Sequence, residues 1–321
     1  MEIYREIRSS TEDTAIALGC FDGIHRGHRQ VLELALQKKQ YRPAVFTFFG
    51  EDEARMKHTT ILMSDQQKID LLQKMGFRSL FSLHFDDIRE MEPEQFVNDL
   101  LIDTFRAKFI ACGFNFHFGK KGRGDAEYLK KLCAARGVEC AVLPAVMESG
   151  EPISSTRIRR YLSDGEVVKA SCLQGHPFAI EFEVVKGNRI GRTLGTPTIN
   201  QPFPENFTLP KFGVYASVVT VDEKKYAGVT NVGRKPTVGS EIPLAETWID
   251  GYSGDLYGQT PKVELLQFLR PERKFASLDE LKMQIHADGE QARKITARWM
   301  DSDREETAIF CGKSLENEKN P

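Results

Sequence analysis

Over residues 1 to about 150 short apolar runs alternate with helical patterns, and this alternation constrains the fold more than any other feature of the chain. Ala15-Ile16-Ala17-Leu18, Ala44 to Phe49, Leu80 to Leu83, Phe109 to Cys112 and Ala141 to Leu143 read as buried strands. Helices fit between them. Val31, Leu32, Leu34, Ala35 and Leu36 give one apolar helical side, Ser64 suits an N-cap before Gln66 to Met75, and Pro93 suits the first turn of a helix ending near Phe105. Asp125 starts another, running to Ala135. Such a pattern predicts a parallel sheet covered on both faces, with ligands beyond the carboxyl ends of its strands.

The texture then changes. Residues 163 to 176 read as a helical segment between breakers, and Phe178 to Val185, Val214 to Val221, Tyr226 to Val232, Thr247 to Asp250 and Val263 to Phe268 follow with strand-like patterning and Gly, Asn and Pro turns. This predicts an all-β region, a small barrel. Residues 278 to 300 return to a helical pattern with Leu278, Leu281, Ile285, Ile295 and Trp299 as packing residues, and the polar tail from Asp301 is expected to fray. At 321 residues two domains are expected, divided as 1–172 and 173–321.

Forty-four basic against 46 acidic residues give no polyanion-binding or membrane-seeking surface, so neither nucleic acid nor membrane is an expected partner. Self-association is left open. Six cysteines form no CxxC pair and no metal-ligand spacing, and read as small core residues in a reducing compartment. Neither a signal-peptide h-region nor a bilayer-length apolar stretch is present, which makes a cytoplasmic location the expectation.

Three runs in the first half carry chemistry. Gly19-Cys20-Phe21-Asp22-Gly23-Ile24-His25-Arg26-Gly27-His28 joins a glycine-bounded turn to two histidines at a strand-to-helix junction. Free N–H groups and the partial positive charge there favour an anion by roughly 0.3–1 kcal/mol at an exposed site. His25 and His28 share a face of the first helical turn; they can hydrogen-bond phosphate oxygens and, when protonated, offset charge building on phosphorus. Gly113 to Asp125 is a glycine-rich loop leaving a strand, in which Asn115 offers a polar contact to a nucleotide or substrate; an aromatic hairpin whose Phe residues pack on the sheet is the less favoured alternative. Pro152 to Arg159 places Ser155 and Thr156 as caps ahead of Arg157 and Arg159, cations that a helix N-terminus disfavours unless an anion joins them. In the second half, Thr198 and Asn200 alternate on one face of a strand, where a hydroxyl and an amide oxygen could complete the coordination of a magnesium ion held mainly by phosphates and water.

These runs, in order, resemble bacterial riboflavin kinase/FAD synthetase, the bifunctional flavin-cofactor enzyme. Gly191-Arg192-Thr193-Leu194-Gly195-Thr196-Pro197-Thr198-Ile199-Asn200 is similar to its GRxLGxPTxN signature, Asn231 to Thr237 to its NIGxRPT element, and Asp255 to Gly258 and Leu269 to Phe275 to its DLYG and LRxExKF elements. The resemblance implies a Rossmann-like nucleotidyltransferase domain followed by a six-stranded Greek-key-like barrel with a C-terminal helix. It implies that the second domain phosphorylates riboflavin with ATP and the first transfers AMP to FMN, giving FAD and pyrophosphate, with Mg2+ in both. His25, His28 and Arg159 would stabilise the adenylylation transition state. Gly19, Phe21, Asp22, Gly23, Gly27, Asn115, Asp125, Ser155 and Thr156 would hold the first nucleotide, and Gly191, Arg192, Gly195, Pro197 and Asn231 the second. Thr198 and Asn200 would bind the metal. Glu246 would be the general base of the kinase.

The chain departs from the family pattern in four places. Thr47-Phe48 runs into Phe49-Gly50-Glu51-Asp52 where a Pro-His-Pro stretch is usual, Trp248 stands at a common His position, Thr196 replaces Phe, and Phe182 and Glu183 replace residues often Gly and basic. One activity weakened, another phosphorylated acceptor as in cytidylyltransferases, or a sensor without chemistry are the alternatives.

Overall fold

The computed structural model describes residues 1–187, 196–237 and 240–302. Two compact units divide at Ser155 and Thr156. In the first, β1 (Glu2–Tyr4), β2 (Thr14–Leu18), β3 (Arg42–Phe46), β4 (Ser79–Phe81), β5 (Ala107–Gly113) and β8 (Glu139–Leu143) form an all-parallel sheet in the order β1-β4-β3-β2-β5-β8. Two hairpins flank it: β6 (His117–Phe118) with β7 (Gly124–Asp125), and β9 (Met147–Glu148) with β10 (Glu151–Pro152). Apart from β1, strand order reverses between β2 and β5, which makes the crevice beyond their carboxyl ends the topological switch point. The expected alternation is borne out. β1 was not legible, being three residues of exposed or half-buried edge.

The connecting helices are α1 (Arg26–Leu36), α2 (Gly50–Lys57), α3 (Asp65–Met75), α4 (Phe85–Ile88), α5 (Pro93–Gln95) running into a π-helix over Phe96–Thr104, and α6 (Ala126–Ala135). Ser64 caps α3 by accepting from the Gln67 amide, whose side chain returns a bond to the Ser64 amide. Two cores cover the two sheet faces. Ile16, Leu18, Phe46, Phe81 and Phe105 pack on one side, and Ala15, Ala17, Val45, Leu32 and Leu72 on the other, as strand alternation requires.

The second unit carries α7 (Ser155–Asp164, its first residue belonging to the first unit), α8 (Val167–Gln174) and six antiparallel strands: β11 (Phe178–Ile180), β12 (Thr198–Pro202), β13 (Gly213–Val221), β14 (Lys224–Thr237), β15 (Ser240–Ile249) and β16 (Lys262–Arg270). Their order is β11-β16-β13-β14-β15-β12, so the meander β13-β14-β15 receives β16 back beside β13, a Greek key curled into a half-barrel. One face is lined by a hydroxyl ladder, Ser217 to Thr230 at 2.8 Å and Thr230 to Thr247 at 2.9 Å. On the other, Ala216, Val218 and Val229 bury against Ala292, Ile295 and Trp299 of the long C-terminal helix, Leu278–Ser302. The strand expected over Phe178 to Val185 ends at Ile180, with Val185 bridging Asn200 alone.

Cys20, Cys112, Cys133 and Cys140 are free thiols, and burial pushes that of Cys112 up to about 12. Cys172 corrects the thiol reading, since it is disulfide-bonded. No helix among the described residues is long and apolar enough to cross a membrane.

Candidate active sites

The loop from β2 to α1 is held in a conformation that few residues adopt. Phe21 lies at φ 52°, Gly23 at 76° and Ile24 at 34°, and a β-branched residue at positive φ costs on the order of 1–3 kcal/mol. What holds it is buried. The Asp22 carboxylate accepts from the Leu62 amide at 2.7 Å, Ser155 Oγ donates to the Asp22 carbonyl at 3.0 Å, and Phe21 is covered with its ring edge-on to His28 at 5.4 Å. A Cβ on Gly19 would stand 3.0 Å from that ring, and one on Gly27 would stand 3.2 Å from the ring of His25.

His25 is the N-cap of α1: its Nδ1 accepts from the His28 amide at 3.2 Å, and the two imidazoles stack with centroids 3.5 Å apart. An accepting Nδ1 leaves Nε2 as the ring nitrogen from which His25 can donate. Burial holds His28 well below its ordinary range, with His25, Lys57 and Lys68 adding to the effect. Its own Nδ1 is buried without a hydrogen-bond partner. Without ligand His28 is therefore held neutral, and the charge that its protonation would supply is absent.

Leu18 pairs with Cys112 in register, so the loops leaving β2 and β5 start side by side at the switch point. Asn115 stands exposed on the second loop. Asp125 caps α6, accepting from the Tyr128 amide at 2.7 Å. Thr156 is exposed and Arg159 half-buried on α7, within the second unit.

A charged cluster missed by the sequence reading sits at the same end of the sheet. Lys68, 2% exposed, donates to the carbonyls of Cys20 and Phe48, both at 2.9 Å, and to Glu53 at 3.1 Å. Lys57 holds the other oxygen of Glu53 at 3.0 Å. The signal was present in α3: Lys68 lies one turn before the buried Leu72, a lysine on an apolar stripe.

In the second unit the register assembles the other site. Asn200 of β12 faces Glu246 of β15, which faces Asn231 of β14, so residues far apart in sequence make one row on one face. Thr198 stands two residues along, opposite Trp248. Trp248 packs against Gly289 and edge-on to His286 of the C-terminal helix, which accounts structurally for an indole at this position. The side-chain oxygens of Asn200 and Asn231 are buried without a hydrogen-bond partner, while the Asn231 amide donates to Glu272 at 3.0 Å. Orphaned hard oxygens suit a magnesium ion, and no group of three or more His, Cys, Asp or Glu among the described residues offers a competing metal site. Pro197 is exposed at the entry to β12; Gly191, Arg192 and Gly195 lie outside the described residues.

Comparison with known proteins fits this division. Residues 7–157 match the FAD synthetase family model and residues 174–296 the riboflavin kinase model. The chain is 34% identical to a bifunctional riboflavin kinase/FMN adenylyltransferase of Escherichia coli K12 over 91% of its length and 96% of the relative's. The Bacillus subtilis counterpart is 31% identical, over 89% and 93%. A crystal structure titled as a macrolide-efflux protein from Streptococcus pneumoniae superposes with a TM-score of 0.81 at 30% identity, covering 91% of this chain and 98% of that one. The two family matches, one on each part of the chain, define a flavin-nucleotide transferase. The chain belongs to the bifunctional riboflavin kinase/FMN adenylyltransferase family.

Proposed function

We propose that the chain phosphorylates riboflavin with ATP to give FMN, then transfers AMP from a second ATP to FMN, giving FAD and pyrophosphate. The observation that carries this reading is that each unit has its own polar site on its own sheet: stacked histidines at the switch point of one, and the row Asn200–Glu246–Asn231 on the other. We assign the activities to 1–172 and 173–321, a division supported by the gap between the two family matches.

In adenylylation a phosphate oxygen of FMN attacks the α-phosphorus of ATP, and the electron pair of the broken bond leaves with pyrophosphate. His25 would donate from Nε2 to an oxygen of that phosphorus, a donor fixed in advance by its cap geometry. The glycines Gly19, Gly23 and Gly27 admit the phosphate close to backbone; Phe21 and Asp22 shape the loop, and Asn115, Asp125, Ser155, Thr156 and Arg159 are assigned to the nucleotide. In the kinase Glu246 would take the proton of the ribityl terminal hydroxyl as that oxygen attacks the γ-phosphorus. Thr198 and Asn200 would hold magnesium there, with Gly191, Arg192, Gly195, Pro197 and Asn231 around the nucleotide. Magnesium, when bound, offsets phosphate charge in both reactions. A cytoplasmic enzyme free of nucleic-acid partners is part of the same reading.

Incubating the protein with riboflavin, ATP and magnesium and separating the flavins tests it. FMN followed by FAD is expected. FMN alone would reject the adenylylation half, and neither product would favour a sensor.

A further inference from the structure

We infer that Lys57, at the end of α2, is the cation that receives the phosphate group of the FMN acceptor at the adenylyl-transfer site. The inference rests on the function proposed above. It begins from local charge. Lys57 and Lys68 share one carboxylate, that of Glu53, at 3.0 and 3.1 Å, leaving a surplus of one positive charge. Lys68 cannot move to a ligand: its side chain is 2% exposed and its ammonium is tied to the carbonyls of Cys20 and Phe48 in the loops that follow β2 and β3. The Lys57 side chain is 40% exposed, so it is the member able to turn to an incoming anion.

Placement gives the anion its identity. The nucleotide is expected in the crevice between β2 and β5, whereas α2 follows β3, on the opposite flank of β2. Burial keeps His28 neutral, and its buried Nδ1 lacks a partner. A phosphate monoester approaching on this flank therefore meets in Lys57 a cation that His28 does not supply. In the transfer, the new bond joins an acceptor phosphate oxygen to the α-phosphorus, the α–β bridging bond breaks, and no proton moves. Lys57 stays protonated and offsets the repulsion between two anions. The stretch Phe49-Gly50-Glu51-Asp52, where the chain leaves the family pattern, opens the helix that carries Lys57, which makes this lysine a specificity device of its own.

The test uses the full chain with Lys57→Met and Lys57→Arg, with FMN and ATP varied separately. For Lys57→Met the KM for FMN should rise about tenfold or more, as loss of a charge-assisted contact implies, with the KM for ATP and the riboflavin kinase rate within about twofold of wild type. Lys57→Arg should retain most of the activity. An unchanged KM for FMN, or a rise confined to ATP, would overturn the assignment. Calorimetric binding of FMN, with riboflavin and ADP in excess to fill the kinase site, separates this from the parent reading. Wild type that binds FMN but forms no FAD rejects adenylylation; a tenfold weaker Kd in Lys57→Met still supports the lysine, and an equal Kd rejects it.

Discussion

His28 shows how a single side chain can be legible in position and illegible in state. Its spacing from His25 and its place after a glycine turn were visible in the sequence, because helix periodicity alone puts i and i+3 on one face. Its charge was not, since that depends on burial and on lysines from α2 and α3. The sign of the consequence is fixed. A folded-state value below the unfolded one means that the unfolded chain binds the extra proton, so this residue's contribution to stability is complete above about pH 6.5 and is lost as pH falls below it. Thermal unfolding should show a lower Tm at pH 5.5 than at 7.5, and the difference should shrink in His28→Gln. Equal pH dependence in the two proteins would contradict the buried, neutral imidazole.

At the scale of elements, what could be read was what repeats. Strands β2 to β5, helix α3 with its cap and the C-terminal helix all follow from apolar period, and the glycine loop follows from its position between two of them. Helix α2 does not: Gly50 to Lys57 has charged residues on both faces, and the buried ones are Asp52 and Glu53. Its partner, Lys68, comes from the next helix, so only the folded chain displays the pair. The row of Asn200, Glu246 and Asn231 was hidden for a related reason, because antiparallel register joins segments that no local pattern links. The ion pair between Glu53 and Lys68 carries its own prediction. Removing one member of a buried pair strands the other and costs about 3–5 kcal/mol, so Lys68→Met should destabilise the first unit by that order in denaturant unfolding while Lys57→Met does not. A loss under about 1 kcal/mol would mean that Lys57 takes over the whole charge of Glu53.

For the whole molecule, the question is whether two units in one chain behave as two enzymes in series. Each has its own core: Ile16, Phe46 and Phe105 in the first, and Val218, Val229 and Trp299 in the second. A substitution at one site should therefore leave the other chemistry intact. Glu246→Gln keeps the shape of the row but cannot accept a proton, and a general base contributes about 10²–10⁴-fold, so FMN formation should fall by that factor. FMN supplied directly should still become FAD at the wild-type rate. His25→Ala removes the cap and the Nε2 donor, and should halt the same chain at FMN. The decisive arrangement is the mixture: Glu246→Gln and His25→Ala proteins together, given riboflavin, ATP and magnesium, should form FAD, because free FMN made by one is consumed by the other. Failure of the mixture, with each half-reaction intact when assayed alone, would mean that FMN does not reach the second site through solution. It would make the covalent link between the two units part of the mechanism.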